Sequence, residues 1–213
     1  MAEPGRARWA KHLELAATVL LAVAAVATAW SSYQATRWNG EQAKAASQTN
    51  AIRIDAARAQ GEAQAESEVD LALFIQWVDA DAHDEAELAD FYASRFRDEF
   101  QPAFDAWLAT DPMENPDAPP SPFALPEYQV EAQDQADEYD RQAEVSAATV
   151  RTDIQRATNY VLAVVLFAVA LFFAGISTKL DSDRLRATLL VVGWVVFLGS
   201  VAWIATFPIS FAV

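Results

Sequence analysis

Three long apolar blocks divide the chain. Residues 12–30, 158–177 and 187–207 are dominated by Ala, Val, Leu and Phe, and the stretch from Asn159 to Ser177 carries no charge at all. A helix of nineteen residues rises about 28 Å, which matches the hydrocarbon core of a bilayer. The pattern therefore predicts three transmembrane helices, TM1 to TM3, in an all-α membrane protein.

The first block follows a short positive segment, residues 1–11. A positive flank before an apolar run is also typical of a signal peptide, but this run is long and no small-residue cleavage site follows it. We therefore predict that TM1 is an uncleaved signal anchor. Trp9 and Trp30 flank it where interface anchors are expected.

The segment between TM1 and TM2 keeps a helical pattern with small residues on one face. Trp38, Ala45, Ile52 and Ala59 recur every seven residues, which favours a coiled-coil stalk. A similar stripe returns over residues 127–157 before TM2. The two stalks have similar lengths, and the sequence leaves open whether they pair within one chain or between copies.

A more apolar section, residues 67–108, predicts a small helical head. Leu71, Phe74, Ile75 and Val78 follow the spacing of a core-facing helix stripe. Aromatic residues recur every three or four positions after that, and Pro102 is expected to kink or restart the helix. Six prolines in residues 109–126 then predict an extended connector, with a peptide-recognition element as the alternative.

The predicted architecture is three transmembrane helices with an extended, acidic helical stalk and head inserted between TM1 and TM2. Its parts are a cytoplasmic tail (1–11), TM1 (12–30), an acidic helical domain (31–157) made of stalk (31–66), aromatic head (67–108), Pro-rich loop (109–126) and return stalk (127–157), TM2 (158–177), a basic turn (178–186), TM3 (187–207) and a C-terminal tail (208–213).

Charge is strongly segregated along the chain. Residues 31–157 hold 26 Asp or Glu and 9 Lys or Arg, a net charge of −17. Such a surface repels nucleic acid and anionic headgroups, so nucleic acid is not an expected partner. The basic residues Lys179, Arg184 and Arg186 lie in the short turn, and three more lie in the N-terminal tail. The positive-inside rule therefore predicts that both segments are cytoplasmic and that residues 31–157 and the C-terminus are extracytoplasmic.

One acidic cluster invites a metal hypothesis. Asp79, Asp81, His83 and Asp90 fall at positions 1, 3, 5 and 12 of a calcium-loop template, although Asp84 replaces its glycine. A divalent-cation sensor is one interpretation. The alternative is a solvated helix junction whose acids favour the start of the next helix.

The chain has none of the common nucleotide-binding, zinc-protease or nucleophile motifs and no Cys. It is therefore predicted to be non-enzymatic and to need no cofactor. Small residues in the spans predict close helix packing at Ala24, Thr28, Gly193 and Gly199. An oligomeric channel with a pore lined by the Ala-rich TM1 is the alternative function.

The segments WSSYQATRWNGEQA (30–43) and NYVLAVVLFAVALFFAGISTKL (159–180) resemble a group of uncharacterised bacterial membrane proteins. Members of that group are predicted to have three spans, with a long helical insertion between the first two. The resemblance implies a bacterial source and this topology, and it implies no activity.

These observations predict a non-enzymatic, multi-pass protein of the bacterial cell envelope, in the cytoplasmic membrane. Its expected partners are the lipid bilayer, copies of itself and another envelope protein. The helical extramembrane domain would mediate assembly or partner binding.

Overall fold

The computed structural model describes residues 4–210, with side chains from Trp9 onward. These residues form five α-helices and one 3₁₀ turn, with no strand among them, so the all-α prediction is confirmed. The elements are α1 (Pro4–Ala82), α2 (Ala86–Ala93), α3 (Gln101–Leu108), the 3₁₀ turn (Pro122–Ala124), α4 (Glu131–Ser177) and α5 (Asp183–Ile204).

Three helices are long and apolar enough to cross a membrane. They are α1, α4 and α5, and each contains one of the three apolar blocks. The prediction of three long apolar helices is confirmed, and their length and composition suggest a multi-pass membrane protein. Helix α1 continues through Gly40 and Gly61, because good helix formers surround both glycines. The first helix of the predicted head is therefore the final part of α1.

The chain divides into two compact units. The membrane unit comprises residues 1–47 and 146–213, and the acidic unit comprises residues 48–145. Helices α1 and α4 contribute to both, whereas α5 belongs to the first and α2 and α3 to the second.

In the membrane unit, the three helices bury small and large residues against each other. The buried set is Leu13, Ala17, Leu20 and Ala24 from α1, Ala163, Phe167, Ala170 and Ala174 from α4, and Leu190 and Phe197 from α5. On α1 and α4 these positions recur at steps of three and four, as expected for one helix face. Alanine on both faces lets the backbones approach closely.

In the acidic unit, the core is aromatic. Phe74 and Trp77 from α1 pack with Phe96 and Phe100 from the turn between α2 and α3 and with Phe104 and Trp107 from α3. Helix α2 contributes Ala89 to the same core. Pro102 lies in the first turn of α3, where its missing N–H is tolerated. Of the predicted kink or restart at this proline, the structure has the restart, although the preceding helix α2 already ends at Ala93.

Two details of the head prediction are wrong. Leu71 and Ile75 are 47% and 53% exposed, so they do not face the core. The buried positions are Asp70, Phe74 and Trp77, which lie on a face rotated from the predicted stripe.

The return helix also begins later than the predicted Glu127. Helix α4 starts at Glu131, because the preceding residues turn inward. Val130 is buried against Ala63 and Ala132, and the Tyr128 ring packs on the same cluster.

Candidate interaction site

The aromatic core fixes the end of α1 through many ring contacts. The Phe74 ring meets Trp107 edge-on at 5.2 Å, and the Trp77 ring meets Phe104 at 4.8 Å. Such pairs are favoured by the ring quadrupoles in addition to the burial of apolar area. The Trp107 indole N–H also donates to the Pro119 carbonyl at 2.8 Å, which ties the Pro-rich loop to α3.

Arg97 connects three carboxylates at the side of this core. Its Nε and Nη2 donate to the two oxygens of Asp70 at 3.1 and 3.0 Å. Its Nη1 donates to Glu99 at 2.6 Å. Glu66 Oε2 lies 2.9 Å from Nη1 and completes an ion pair without being aligned as a hydrogen bond.

Asp70 is fully buried, so its charge depends on Arg97. The hydrogen bonds to Asp70 raise the pKa of Arg97 well above its ordinary value, and the carboxylate charges of Asp70 and Glu66 add to this shift. A bidentate guanidinium–carboxylate pair is strong and also orients both partners. This cluster therefore holds α1 against the turn between α2 and α3.

Tyr128 brings the segment before α4 to the same cluster. Its hydroxyl donates to Ser67 at 3.2 Å and lies 3.4 Å from Asp70 Oδ2. Burial raises the pKa of Tyr128, so the phenol stays protonated and able to donate. Two open grooves flank it, of about 490 and 360 Å³. The larger is lined by Glu99, Pro102, Glu127, Gln129, Glu131 and Asp134.

The opposite side of α1 is uncovered. We call the surface formed by Leu71, Ala72 and Ile75, with Glu68 and Asp79 one turn before and after, the bare face. All five side chains are exposed. Leu71 and Ile75 are separated by four residues and so are neighbours on the helix surface. From residue 59 to residue 94 the chain holds ten Asp or Glu and no Lys or Arg.

Of the predicted cation ligands, Asp79 and Asp81 lie at the end of α1, His83 lies in the turn after it and Asp90 lies in α2. His83 Nδ1 is 2.7 Å from the Asp79 carbonyl and 3.6 Å from the Asp79 carboxylate. Asp79, Asp81, His83 and Asp90 are all exposed, and no three acidic or histidine side chains converge to hold a metal ion in the described part of the chain. The cation hypothesis stays a prediction without geometric support.

The junction after α1 uses its residues for turn formation. Asp84 has a φ of 58°, in the left-handed region that a short polar side chain tolerates. Glu85 precedes α2 without a side-chain capping bond, whereas Glu87 lies in the first turn, where the helix dipole favours an acid.

The predicted packing residues have different surroundings. Ala24 is fully buried in the core of the membrane unit, and the Thr28 hydroxyl donates to its carbonyl at 2.7 Å. A Cβ placed on Gly193 would lie 3.1 Å from Leu20 Cδ2 and 3.3 Å from Phe173 Cβ. At Gly199 a Cβ would meet no atom within 4 Å. The face of α1 that holds Ala17 and Ala24 is occupied within the chain, which disfavours a pore lined by it.

The residues predicted to lie at the membrane–water interface are found on exposed parts of α1 and around the turn between α4 and α5. Trp9 and Trp30 are exposed on α1, at 56% and 39%. Lys179 lies in the turn between α4 and α5, and Arg184 and Arg186 lie in the first turn of α5.

One polar cluster in the membrane unit has no counterpart in the sequence prediction. The Tyr160 hydroxyl donates to the Pro208 carbonyl at 3.1 Å, and the Ser210 N–H donates to Gln34 Oε1 at 3.1 Å. Arg156 lies over the Trp38 ring at 4.5 Å and donates to Asp153 at 3.0 Å. The only sequence signal was a run of polar residues directly after TM1.

Comparison of the chain with protein-family models, curated proteins and solved structures found no match. The resemblance to three-span bacterial membrane proteins therefore stays a prediction.

Proposed function

We propose that this chain is a non-enzymatic membrane protein of the bacterial cell envelope that binds a basic partner protein through its acidic unit. The observation that carries the proposal is the bare face. The aromatic core and Arg97 fix one side of α1 in a single position. The other side presents Leu71 and Ile75 to solvent among acidic residues.

Exposed apolar side chains on a fixed helix are typical of interaction sites. A helix partner would bury Leu71 and Ile75, because residues four apart form one anchor stripe. Eight of the ten acids of residues 59–94 lie outside the Arg97 cluster, and they favour a partner with Lys or Arg beside its apolar stripe, through charge complementarity. A second copy would bring the same negative charge to this face and would be repelled.

The intact protein in lipid nanodiscs allows a direct test. The probe is a fluorescent amphipathic helical peptide with Leu on one face and Lys on the other. We expect Leu71→Gln combined with Ile75→Gln to weaken binding by about tenfold or more, because the anchors are lost. The matched control is Leu88→Gln combined with Leu108→Gln, which alters two other exposed leucines of the acidic unit.

Three results would contradict this function. They are the absence of peptide binding, equal binding by the wild type and the Leu71/Ile75 variant, and equal binding of a peptide with Glu in place of Lys. The second result would mean that charge alone attracts the peptide.

We further propose that the chain assembles with copies of itself through its membrane spans. The support is the exposed side of α5, where Val195 and Leu198 project and Gly199 leaves open space. Since the chain has no Cys, Val195→Cys is a clean reporter. Disulfide-linked dimers should form in membranes with this variant but not with Asp181→Cys in the exposed turn. A monomer by light scattering, without cross-linking, would exclude self-assembly.

The orientation in this proposal follows the positive-inside rule. The N-terminus and the basic turn would face the cytoplasm, and residues 31–157 and the C-terminus would face the opposite side.

A further inference from the structure

Three buried polar groups lie on one face of α1, directly after the predicted end of TM1. They are Ser31 Oγ, Gln34 Nε2 and Trp38 Nε1, and none has a hydrogen-bond partner within the described part of the protein. Ser31 and Gln34 are fully buried and Trp38 is 8% exposed. Positions separated by three, four or seven residues share a helix face, so the three groups follow one another along a single line.

The segment after α5 covers part of this line. The Ser210 N–H donates to Gln34 Oε1, which engages one end of the amide and leaves its Nε2 without a partner. The Tyr160 hydroxyl holds the Pro208 carbonyl, and the Phe207 ring meets the Tyr160 ring edge-on at 5.6 Å. Ala35, Trp38, Ala157 and Tyr160 form the apolar wall beside it. Gln34 and Trp38 are therefore enclosed between α1, α4 and residues 207–210, and Ser31 is buried one turn earlier on the same face of α1.

The chemistry of these groups defines what they can bind. An amide NH₂ and an indole N–H only donate, and a hydroxyl can donate or accept. A buried donor without an acceptor is costly, and nearly all such groups in folded proteins have a protein or water partner. The occupant must therefore be a hydrogen-bond acceptor, which excludes a metal cation at these atoms.

The surrounding charges favour a neutral acceptor. The guanidinium of Arg156 lies over the Trp38 ring, but its Nη1 already pairs with the buried carboxylate of Asp153. This pair balances its own charge, and Arg37, which lies between Gln34 and Trp38 in the sequence, pairs with Glu41. An anion would therefore gain little from either arginine and would be repelled by Asp153. Water is neutral and small, and it can accept from Gln34 Nε2 and Trp38 Nε1 and form a hydrogen bond in either direction with Ser31 Oγ.

We propose that Ser31, Gln34 and Trp38 form an enclosed hydration site in which ordered water molecules accept their hydrogen bonds. Buried water typically makes about three hydrogen bonds and is an integral part of the structure. The site would join α1 to the segment after α5 through the two ends of the Gln34 amide. Its Nε2 would donate to water, and its Oε1 accepts from the Ser210 N–H.

Water can be detected directly at the Trp38 indole. The intact protein with ¹⁵N-labelled Trp is studied in detergent micelles, and the Trp38 indole signal is assigned with Trp38→Phe. We expect a cross-peak between this N–H and long-lived water in nuclear Overhauser spectra. The internal control is Trp107, whose N–H already bonds Pro119 O and which should show no such peak.

A mild variant tests whether the groups act together. Ser31→Ala removes one hydroxyl and should lower the water cross-peak of Trp38 by roughly a third or more, since the water loses one of about three bonds. The variant Thr36→Ala, at an exposed hydroxyl nearby on α1, should leave the peak unchanged.

Two outcomes would overturn the hydration site. One is a Trp38 indole without a water cross-peak while exposed indoles show solvent exchange. The other is a Trp38 signal that shifts on titration with chloride but not with gluconate, which would identify an anion as the occupant.

Discussion

Arg97 binds Asp70 through two parallel hydrogen bonds, from Nε to Oδ1 at 3.1 Å and from Nη2 to Oδ2 at 3.0 Å. The two residues are 27 positions apart, and the bond joins α1 to the turn after α2. Because Asp70 is fully buried, each member of the pair requires the other.

The first prediction concerns this pair. Asp70→Asn leaves the guanidinium partly buried without its bidentate partner, and breaking a buried pair costs about 3 kcal/mol. For a chain of this size that corresponds to a fall in melting temperature of about 6–12 °C. Circular dichroism of the purified protein measures it. The control Arg141→Ala breaks the exposed pair with Glu138 and should change little. Equal effects of the two variants would contradict a structural role for Arg97.

The second prediction compares two glycines of α5. Gly193→Ala should destabilise the membrane unit by about 1–3 kcal/mol, because the new methyl group overpacks against Leu20 and Phe173. Gly199→Ala places its methyl group in open space and should be neutral for the fold of the chain. Thermal unfolding in the same detergent checks both. A Gly193→Ala variant as stable as the wild type would show that α5 does not pack against α1 and α4 closely enough to exclude a methyl group.

The third prediction is a pH dependence at His83. The bond to the Asp79 carbonyl and the Asp79 charge raise the pKa of His83 above its ordinary value. The folded state therefore favours the protonated ring. The stabilisation is fully present below the unfolded pKa of about 6.5, and it is lost as the pH rises through the higher folded value.

The ring signals of His83 in an NMR titration report this value. We expect a midpoint above that of an unstructured histidine. Asp79→Asn should lower the midpoint only in part, because the bond to the backbone carbonyl remains. A midpoint unchanged by Asp79→Asn would show that the carboxylate has no influence.

The fourth prediction tests the orientation. Asp117 in the Pro-rich loop and Asp181 in the basic turn are both exposed, so a cysteine at either position can be labelled by a maleimide. The two single-cysteine variants should be labelled from opposite sides of the membrane. In intact spheroplasts a membrane-impermeant maleimide should label Asp117→Cys, and should label Asp181→Cys only after lysis. The reverse pattern would invert the topology.

Helix type and the apolar spans could be predicted because they depend on local pattern. A nineteen-residue apolar run can only be satisfied as a helix in lipid, and the small-residue spacing of α1 and α4 sets their buried faces. The restart of a helix near Pro102 likewise follows from proline geometry alone.

The rotation of the head helix could not be predicted from local pattern. By spacing alone, Leu71 and Ile75 fit a core-facing stripe equally as well as the residues that are actually buried. The choice is made by distant groups, because Arg97 requires Asp70 inside and the ring of Phe123 packs on Phe74. A buried Asp is the residue that a hydrophobic pattern excludes first, so this position was missed.

The segment after α5 also determines when the membrane unit can be completed. Gln34 and Ser210 are 176 residues apart, and Tyr160 and Pro208 are 48 apart. During synthesis the chain leaves the ribosome from its N-terminus, so Gln34 must wait until the third apolar helix has been made and inserted. These two hydrogen bonds therefore close only after the third apolar helix has been made, and until then Gln34 and Tyr160 must find other partners. An insertion factor that releases the first two helices earlier would release them with this junction open.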